Sequence, residues 1–219
     1  MERERDFEHF TTDELVEQYL AIPFHARPDI EELPENPAPE IHSFFSRPSS
    51  LFELLTQGLL NPGEVADAIQ TDSQALATKH PELKKSIQFV SYLYQAESWI
   101  AHSIYLTSHI TDINGNHTVN QLPNDLIKAQ ENSARLFLMA ELSVNTRTPL
   151  YSKYILTGLI NARQATLARK IAQTFGAVIL TNNDEENQLL AQILGETNPT
   201  NIKNGIATNA KIPPNSGSN

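Results

Sequence analysis

The sequence predicts an all-α fold, an irregular antiparallel helical bundle with a proline-rich N-terminal arm and a disordered C-terminal tail. Helix-capping signatures recur along the chain, and apolar residues follow them at three- and four-residue spacing. Hydrophobic residues make up 40% of the 219, which is enough for a packed interior. We therefore expect an arm over residues 1–48, a helical domain over 49–195 and a disordered tail over 196–219.

One short helix is predicted within the arm, over residues 11–22. Thr11 is suited to cap its start, and Glu14 follows three residues later, as a capping box requires. Pro23 ends the helix because proline lacks the backbone N–H that the next turn needs.

The rest of the arm, residues 23–48, is predicted to be extended or irregular because it holds six of the 13 prolines. It is not a simple linker, since five of the chain's nine phenylalanines lie within residues 1–48: Phe7, Phe10, Phe24, Phe44 and Phe45. Each exposed phenylalanine forgoes about 1.5–3 kcal/mol of burial. We expect the arm to lie on a surface, either its own body or a partner's.

Beyond the arm the pattern is helical. Start signals occur at Ser50, Asn61-Pro62, Pro81, Asn124, Thr148-Pro149 and Asn183. The helix from Pro81 to about Ile110 is the longest, and at ~1.5 Å per residue it spans about 45 Å. We expect a helix break near residues 70–72, one uninterrupted helix from Thr148 to Phe175, and an apolar run at 177–180 that is either helical or a strand.

The charge of the chain is unevenly distributed. Its net charge is −10, and residues 1–40 carry 12 acidic and three basic side chains while the remainder carries 14 and 13. An acidic chain repels phosphate backbones, so we expect neither nucleic-acid binding nor attraction to anionic membranes. The acidic segment is interpreted as a solubilising tail or as an arm that docks on a basic partner.

Compartment and membrane insertion can also be predicted. The chain has no cysteine, which excludes disulfides, thiolate zinc sites and cysteine nucleophiles and fits a reducing cytoplasm. No apolar run approaches the ~20 residues that span a bilayer. The first six residues are mixed in charge and no apolar stretch follows, which is not the pattern of a secretory signal. We expect a cytoplasmic protein without membrane insertion.

Catalytic and metal-binding patterns are sparse. The sequence lacks Gly-x-Ser-x-Gly, the phosphate-binding loop and the dinucleotide turn. His102 and His109 are seven residues apart on the long helix, too far to share a metal ion. Glu82, Glu97, Glu131 and Glu141 lie on predicted helices, but no Glu-x-x-His pair accompanies them. We predict no catalytic residue, metal site or cofactor.

The candidate functional residues are apolar rings and basic side chains. Arg163 and Lys170 fall seven residues apart on the predicted helix over 148–175 and would share a face that could bind an acidic segment. Aromatic residues are enriched at interface hot spots. The predicted partner-binding residues are Phe24, Phe44, Phe45, Trp99, Arg163 and Lys170.

Small size, acidity, helicity and the lack of a catalytic motif make the chain resemble bacterial secretion chaperones and adaptors in composition. The leading hypothesis is therefore a non-enzymatic adaptor or chaperone-like subunit that binds protein partners within a larger assembly. One alternative is a small helical enzyme or ligand-binding protein with an unrecognised pocket, which a buried cluster of polar residues would favour. Another is a regulator whose acidic arm masks its own basic helix. The sequence leaves the oligomeric state open.

Overall fold

The computed structural model describes residues 7–25, 27–46, 49–114 and 123–175. These ranges contain eight α-helices and no strand, which confirms the all-α prediction. The helices are α1 (Thr12–Ala21), α2 (Pro39–Phe45), α3 (Ser49–Thr56), α4 (Pro62–Lys79), α5 (Lys84–Asn114), α6 (Asn124–Ser143), α7 (Pro149–Asn161) and α8 (Ala165–Phe175). The predicted helix from Asn183, the apolar run at 177–180 and the predicted disordered tail lie outside the described residues.

Helix α5 is the central helix, as the sequence predicted, and α4 and α6 pack against it. Both neighbours run antiparallel to it. Ser91 of α5 bonds to Ser73 of α4 over 3.0 Å, and Gln130 of α6 donates to Ser103 over 2.9 Å. Helix α7 returns along α6, and Gly158 permits the close approach, because an added Cβ would lie 2.9 Å from the Ala134 Cβ. Small and polar side chains thus set the spacing of this bundle.

Helix α1 belongs to the main hydrophobic core. Leu15, Val16 and Tyr19 are fully buried, together with side chains of α5, α6, α7 and α8. Thr11 caps the helix and forms the predicted capping box with Glu14. Burial of these side chains holds the first helix of the arm on its own body. The division of the chain into an arm and a body at residue 48 stays a prediction.

The sequence missed a second helix in the arm. Pro39 occupies the first turn of α2, where its missing N–H costs nothing. Ile41 and Phe44 are buried against Leu76 and Ile87, on α4 and α5. This tertiary contact, rather than local propensity, stabilises seven helical residues in a proline-rich segment.

Two other predictions about helix ends are wrong. Helix α4 continues through residues 70–72, because the Thr71 hydroxyl donates to the Asp67 carbonyl within the helix instead of capping a new one. The predicted helix over 148–175 is two helices. Arg163 takes a left-handed conformation, with φ of 62°. The Arg163 N–H donates to the Ile160 carbonyl, and the Gln164 N–H donates to the Leu159 carbonyl. This is the Schellman pattern that usually ends on glycine.

Arg163 therefore offers a test of the turn between α7 and α8. A residue with a Cβ pays about 1–2 kcal/mol in the left-handed region, whereas glycine does not. We expect Arg163→Gly to be more stable than Arg163→Ala by about 1 kcal/mol, measured by urea unfolding. Equal stabilities of the two variants would contradict the left-handed turn.

Candidate partner-binding surface

Residues 22–38, here called the strap, cross one end of the bundle. The strap is fastened first to the turn between α6 and α7, where the His25 N–H donates to the Arg147 carbonyl and the Arg147 N–H donates to the Pro23 carbonyl, both over 2.9 Å. Its second attachment is at the start of α5. There the Glu31 carboxylate accepts from the Ser86 N–H at 2.8 Å and from the Ser86 hydroxyl at 2.7 Å. The favourable position of a carboxylate at a helix N-terminus explains this second contact.

An open groove of about 1440 Å³ lies between the strap and the bundle end. Its charged lining comes from both sides: Arg27, Asp29 and Glu31 from the strap, and Lys84 and Lys85 from α5. Small-molecule sites usually enclose about 300–1,000 Å³ and are mostly apolar. The size and the mixed charge of the groove therefore differ from those of a typical small-molecule pocket.

A buried polar cluster lies deeper in the molecule, around Glu141 at the end of α6. One carboxylate oxygen of Glu141 accepts from the Thr148 N–H at 2.5 Å and from the Thr148 hydroxyl at 2.6 Å. Ser152 donates to the Thr148 carbonyl and shares a 2.8 Å hydrogen bond with the Tyr19 hydroxyl. The cluster thus ties α1, the end of α6 and the start of α7 together.

The Glu141 cluster is closed to solvent. Glu141, Tyr19 and Ser152 each have 0% relative exposure, and Thr148 has 2%. Burial raises the pKa of Glu141 to about 7, against the opposing effect of the Thr148 hydrogen bonds. A polar cluster was the feature expected to favour an enzyme, and the side chains of this one have almost no exposure to solvent. We interpret the cluster as a structural element.

The most exposed large apolar side chain in the described ranges, Leu59, lies just after α3. We define the α3 surface as Phe52, Leu54, Leu59 and Ile104, of which Leu59 is 65% exposed. Helix α3 ends in a Schellman turn on Gly58, with φ of 69°, and the Leu59 N–H bonds to the Leu54 carbonyl. This motif brings the side chains at these two positions together. Gly58 faces the ring of Tyr105, the residue after Ile104.

Helix α3 is apolar on more sides than the bundle covers. Of its four large apolar residues, only Leu55 is buried, Leu51 is half-buried, and Phe52 and Leu54 are exposed. Phe52 and Leu54 lie on opposite flanks of Leu55, given 100° per residue. The four apolar positions span an arc of about 160°, and the side chains at the two edges of this arc stay exposed while its middle is covered. The exposed edges of this apolar arc therefore have the composition of a contact surface.

A row of rings continues from this surface along α5. The His102 ring stacks on the Tyr105 ring with 5.9 Å between their centroids. The Trp99 ring lies before this pair, 6.3 Å from His102, and the His109 ring lies after it, 4.1 Å from Tyr105. Trp99 is half-buried. The predicted partner-binding residue Trp99 thus belongs to an aromatic row that reaches the α3 surface.

The other predicted partner-binding aromatics are dispersed. Phe44 is buried and Phe45 is half-buried, and the two rings pack edge to face at 5.6 Å. Phe24 lies on the strap, 37% exposed, with a backbone bridge to Arg147. The structure brings none of these three rings to the α3 surface.

The two predicted basic residues do not share a helix. Arg163 is exposed in the turn between α7 and α8, whereas Lys170 lies on α8 and forms an ion pair with Glu17 of α1. The expected contact between the acidic arm and a basic helix is therefore present at one lysine. An exposed pair of this kind contributes little to stability.

Two important features were not recognised in the sequence. Glu141 is an acidic residue four positions after Phe137 and three after Leu138, on the apolar side of α6. An ionisable residue in that position is itself a signal, because a buried carboxyl needs hydrogen-bond donors. The α3 surface also had a signal, since leucine and phenylalanine occupy four of six consecutive positions from Leu51 to Thr56.

Neither a metal site nor a membrane-spanning helix occurs within the described ranges. There, no three His, Asp or Glu side chains come close enough to form a metal site. None of the described helices combines the length and the hydropathy needed to cross a bilayer. Comparison of the chain with protein-family models, curated proteins and solved structures gave no significant match.

Proposed function

We propose that the chain is a non-enzymatic helical adaptor or chaperone-like subunit that binds a protein partner through the α3 surface. The observation that carries the proposal is that Phe52 and Leu54, at the edges of the apolar arc of α3, and Leu59, just after the helix, are exposed without a covering element in the described part of the chain. The Schellman turn brings Leu54 and Leu59 together, and exposed apolar patches on a monomer are typical of protein interaction sites.

The neighbouring aromatic row supports the same proposal. Interface hot spots are enriched in tryptophan and tyrosine, and Tyr105 lies against Gly58 at the end of α3, with Trp99 linked to it through His102. A protein partner with an apolar helix or sheet face of its own fits such a surface. The compositional resemblance suggests bacterial secretion as the setting, and the lack of cysteine fits a cytoplasmic location.

The test compares how well two variants, each with an aspartate in place of an exposed leucine, retain a bound partner. We expect Leu59→Asp to weaken binding of a co-purified partner at least tenfold, because a buried unpaired carboxylate is costly at an interface. Leu33→Asp is the matched control, since Leu33 is also an exposed leucine, at 41%, but lies on the strap. Retention is measured by affinity purification of the full chain from its native cells, and melting temperatures confirm that both variants fold.

Three results would count against the proposal. Equal retention by both variants would remove the α3 surface from the interface. Loss of a self-association by Leu59→Asp, measured by sedimentation, would assign the surface to a second copy of this chain instead. A bound small molecule retained by the wild type in place of a protein would favour the ligand-binding alternative and direct attention to the groove under the strap.

A further inference from the structure

Glu53 is the charged side chain of α3, and it lies between the two exposed apolar edges of that helix. At 100° per residue it is about 160° from the buried Leu55, with Phe52 and Leu54 about 100° to either side. Within the described part of the chain, no basic side chain forms an ion pair with Glu53. A partner that packs on either apolar edge therefore lies next to a carboxylate that is not yet neutralised.

The beginning of α4 brings a second carboxylate to the same end of the bundle. Gln95 of α5 donates to Gln70 of the antiparallel α4 over 2.9 Å, which sets the register of the two helices. Six residues before Gln70, in the first turn of α4, lies the exposed Glu64. It is level with a point about 6 Å along α5 from Tyr105, whose ring lies against Gly58 at the end of α3.

Basic side chains are missing from this part of the sequence. Residues 49–78, which form α3 and nearly all of α4, hold four acidic residues and no lysine, arginine or histidine. Helix α5 carries neither lysine nor arginine after Lys85. A negative surface attracts a positively charged partner and repels an acidic one, so charge selects among the partners that the apolar edges could bind.

Desolvation selects in the same direction. A partner that covers Leu54 and Leu59 takes water away from the neighbouring Glu53. A carboxylate that loses water without gaining a cation costs free energy, whereas a lysine or arginine at that point restores its interactions. An entirely apolar partner would leave Glu53 unpaired.

We propose that the α3 surface binds a basic amphipathic segment of the partner, with a lysine or arginine opposite Glu53 and apolar side chains on Leu54 and Leu59. The inference rests on the proposed function and adds the chemistry of the partner to it.

The test uses two model peptides that differ only in charge. Each consists of two repeats of Leu-x-x-Leu-Leu-x-Leu, with lysine at every x in one peptide and glutamate in the other. Fluorescence anisotropy with the full chain at about 0.15 M salt should give a Kd at least tenfold lower for the lysine peptide. Glu53→Lys should raise that Kd about tenfold, because attraction at this position becomes repulsion.

Glu32→Lys is the matched control, since it changes the net charge equally but alters an exposed residue of the strap. The neighbouring Glu31 bonds to Ser86, which is about 28 Å from Tyr105 along α5. This separation is well beyond the ~8 Å over which exposed charges interact at this salt concentration. We expect Glu32→Lys to change the Kd of the lysine peptide less than twofold, and melting temperatures check that both variants fold.

Leu59→Ser distinguishes failure of this inference from failure of the proposed function, and we expect it to raise the Kd of the lysine peptide about tenfold. If it does so while both peptides bind equally, or while Glu53→Lys and Glu32→Lys act alike, the α3 surface still binds a partner but not a basic one. If Leu59→Ser has no effect, the lysine peptide binds elsewhere, and both proposals fail. Lack of lysine-peptide binding at 1 mM would overturn this inference alone and leave the proposed function to the retention of the co-purified partner.

Discussion

Replacing Glu141 by alanine is expected to lower the free energy of unfolding by about 3 kcal/mol at pH 5.5. The substitution removes the acceptor for the Thr148 N–H and hydroxyl, which are buried at the start of α7. An unpaired buried donor costs about 1–3 kcal/mol, and the cavity left by the side chain adds to this. For a chain of this length the melting temperature should fall by about 6–12 °C, since each kcal/mol shifts it by about 2–4 °C.

Glu131→Ala is the matched control for this prediction. Glu131 is on the same helix and accepts a 3.0 Å hydrogen bond from Thr12, but it is only half-buried. We expect Glu131→Ala to lower the free energy of unfolding by less than about 1 kcal/mol, the ordinary contribution of one hydrogen bond near a surface. If the two alanine variants were equally stable, Glu141 would not hold the turn between α6 and α7.

The contribution of Glu141 to the stability of the protein should fall as the pH rises from about 4.5 to about 7. Burial raises the pKa of Glu141 to about 7 from its ordinary value of 4.5, so the folded protein keeps a proton that the unfolded chain has lost. Where the folded state binds more protons, the free energy of unfolding decreases with pH. At 1.36 kcal/mol per pKa unit the loss due to this group is about 3 kcal/mol, complete slightly above pH 7.

Glu141→Gln isolates this effect from that of other carboxyl groups. The amide oxygen can still accept from Thr148, but the side chain does not ionise. We expect the difference in unfolding free energy between the variant and the wild type to move in favour of the variant across pH 4.5–7, measured by urea unfolding at each pH. A difference that stays constant over this range would mean that Glu141 is ionised in the folded protein.

The helices were predictable because their signals are local. Thr11 with Glu14, and Asn61 before Pro62, cap helices in the structure as their side chains suggest. The all-α class and the central helix follow from apolar spacing and from the length of the segment after Pro81. Such features depend on residues within one or two turns of each other, so the sequence by itself determined them.

The tertiary structure decided where the remaining helices begin and end and which side chains stay exposed. The end of α7 at Arg163 carries neither glycine nor proline, and only packing of α8 against α1 and α7 makes a left-handed arginine tolerable there. Helix α2 exists because Ile41 and Phe44 find a buried site between α4 and α5. These outcomes depend on contacts between residues far apart in sequence, which no local pattern contains.

The same distinction applies to the functional residues. The sequence indicated that aromatic rings and basic side chains would matter, but it could not tell which would be used inside the molecule. Packing buries Phe44, pairs Lys170 with Glu17, and leaves the outward side of α3 exposed. Composition determines how much apolar surface a chain must bury, whereas the arrangement of its helices decides which part stays exposed to solvent.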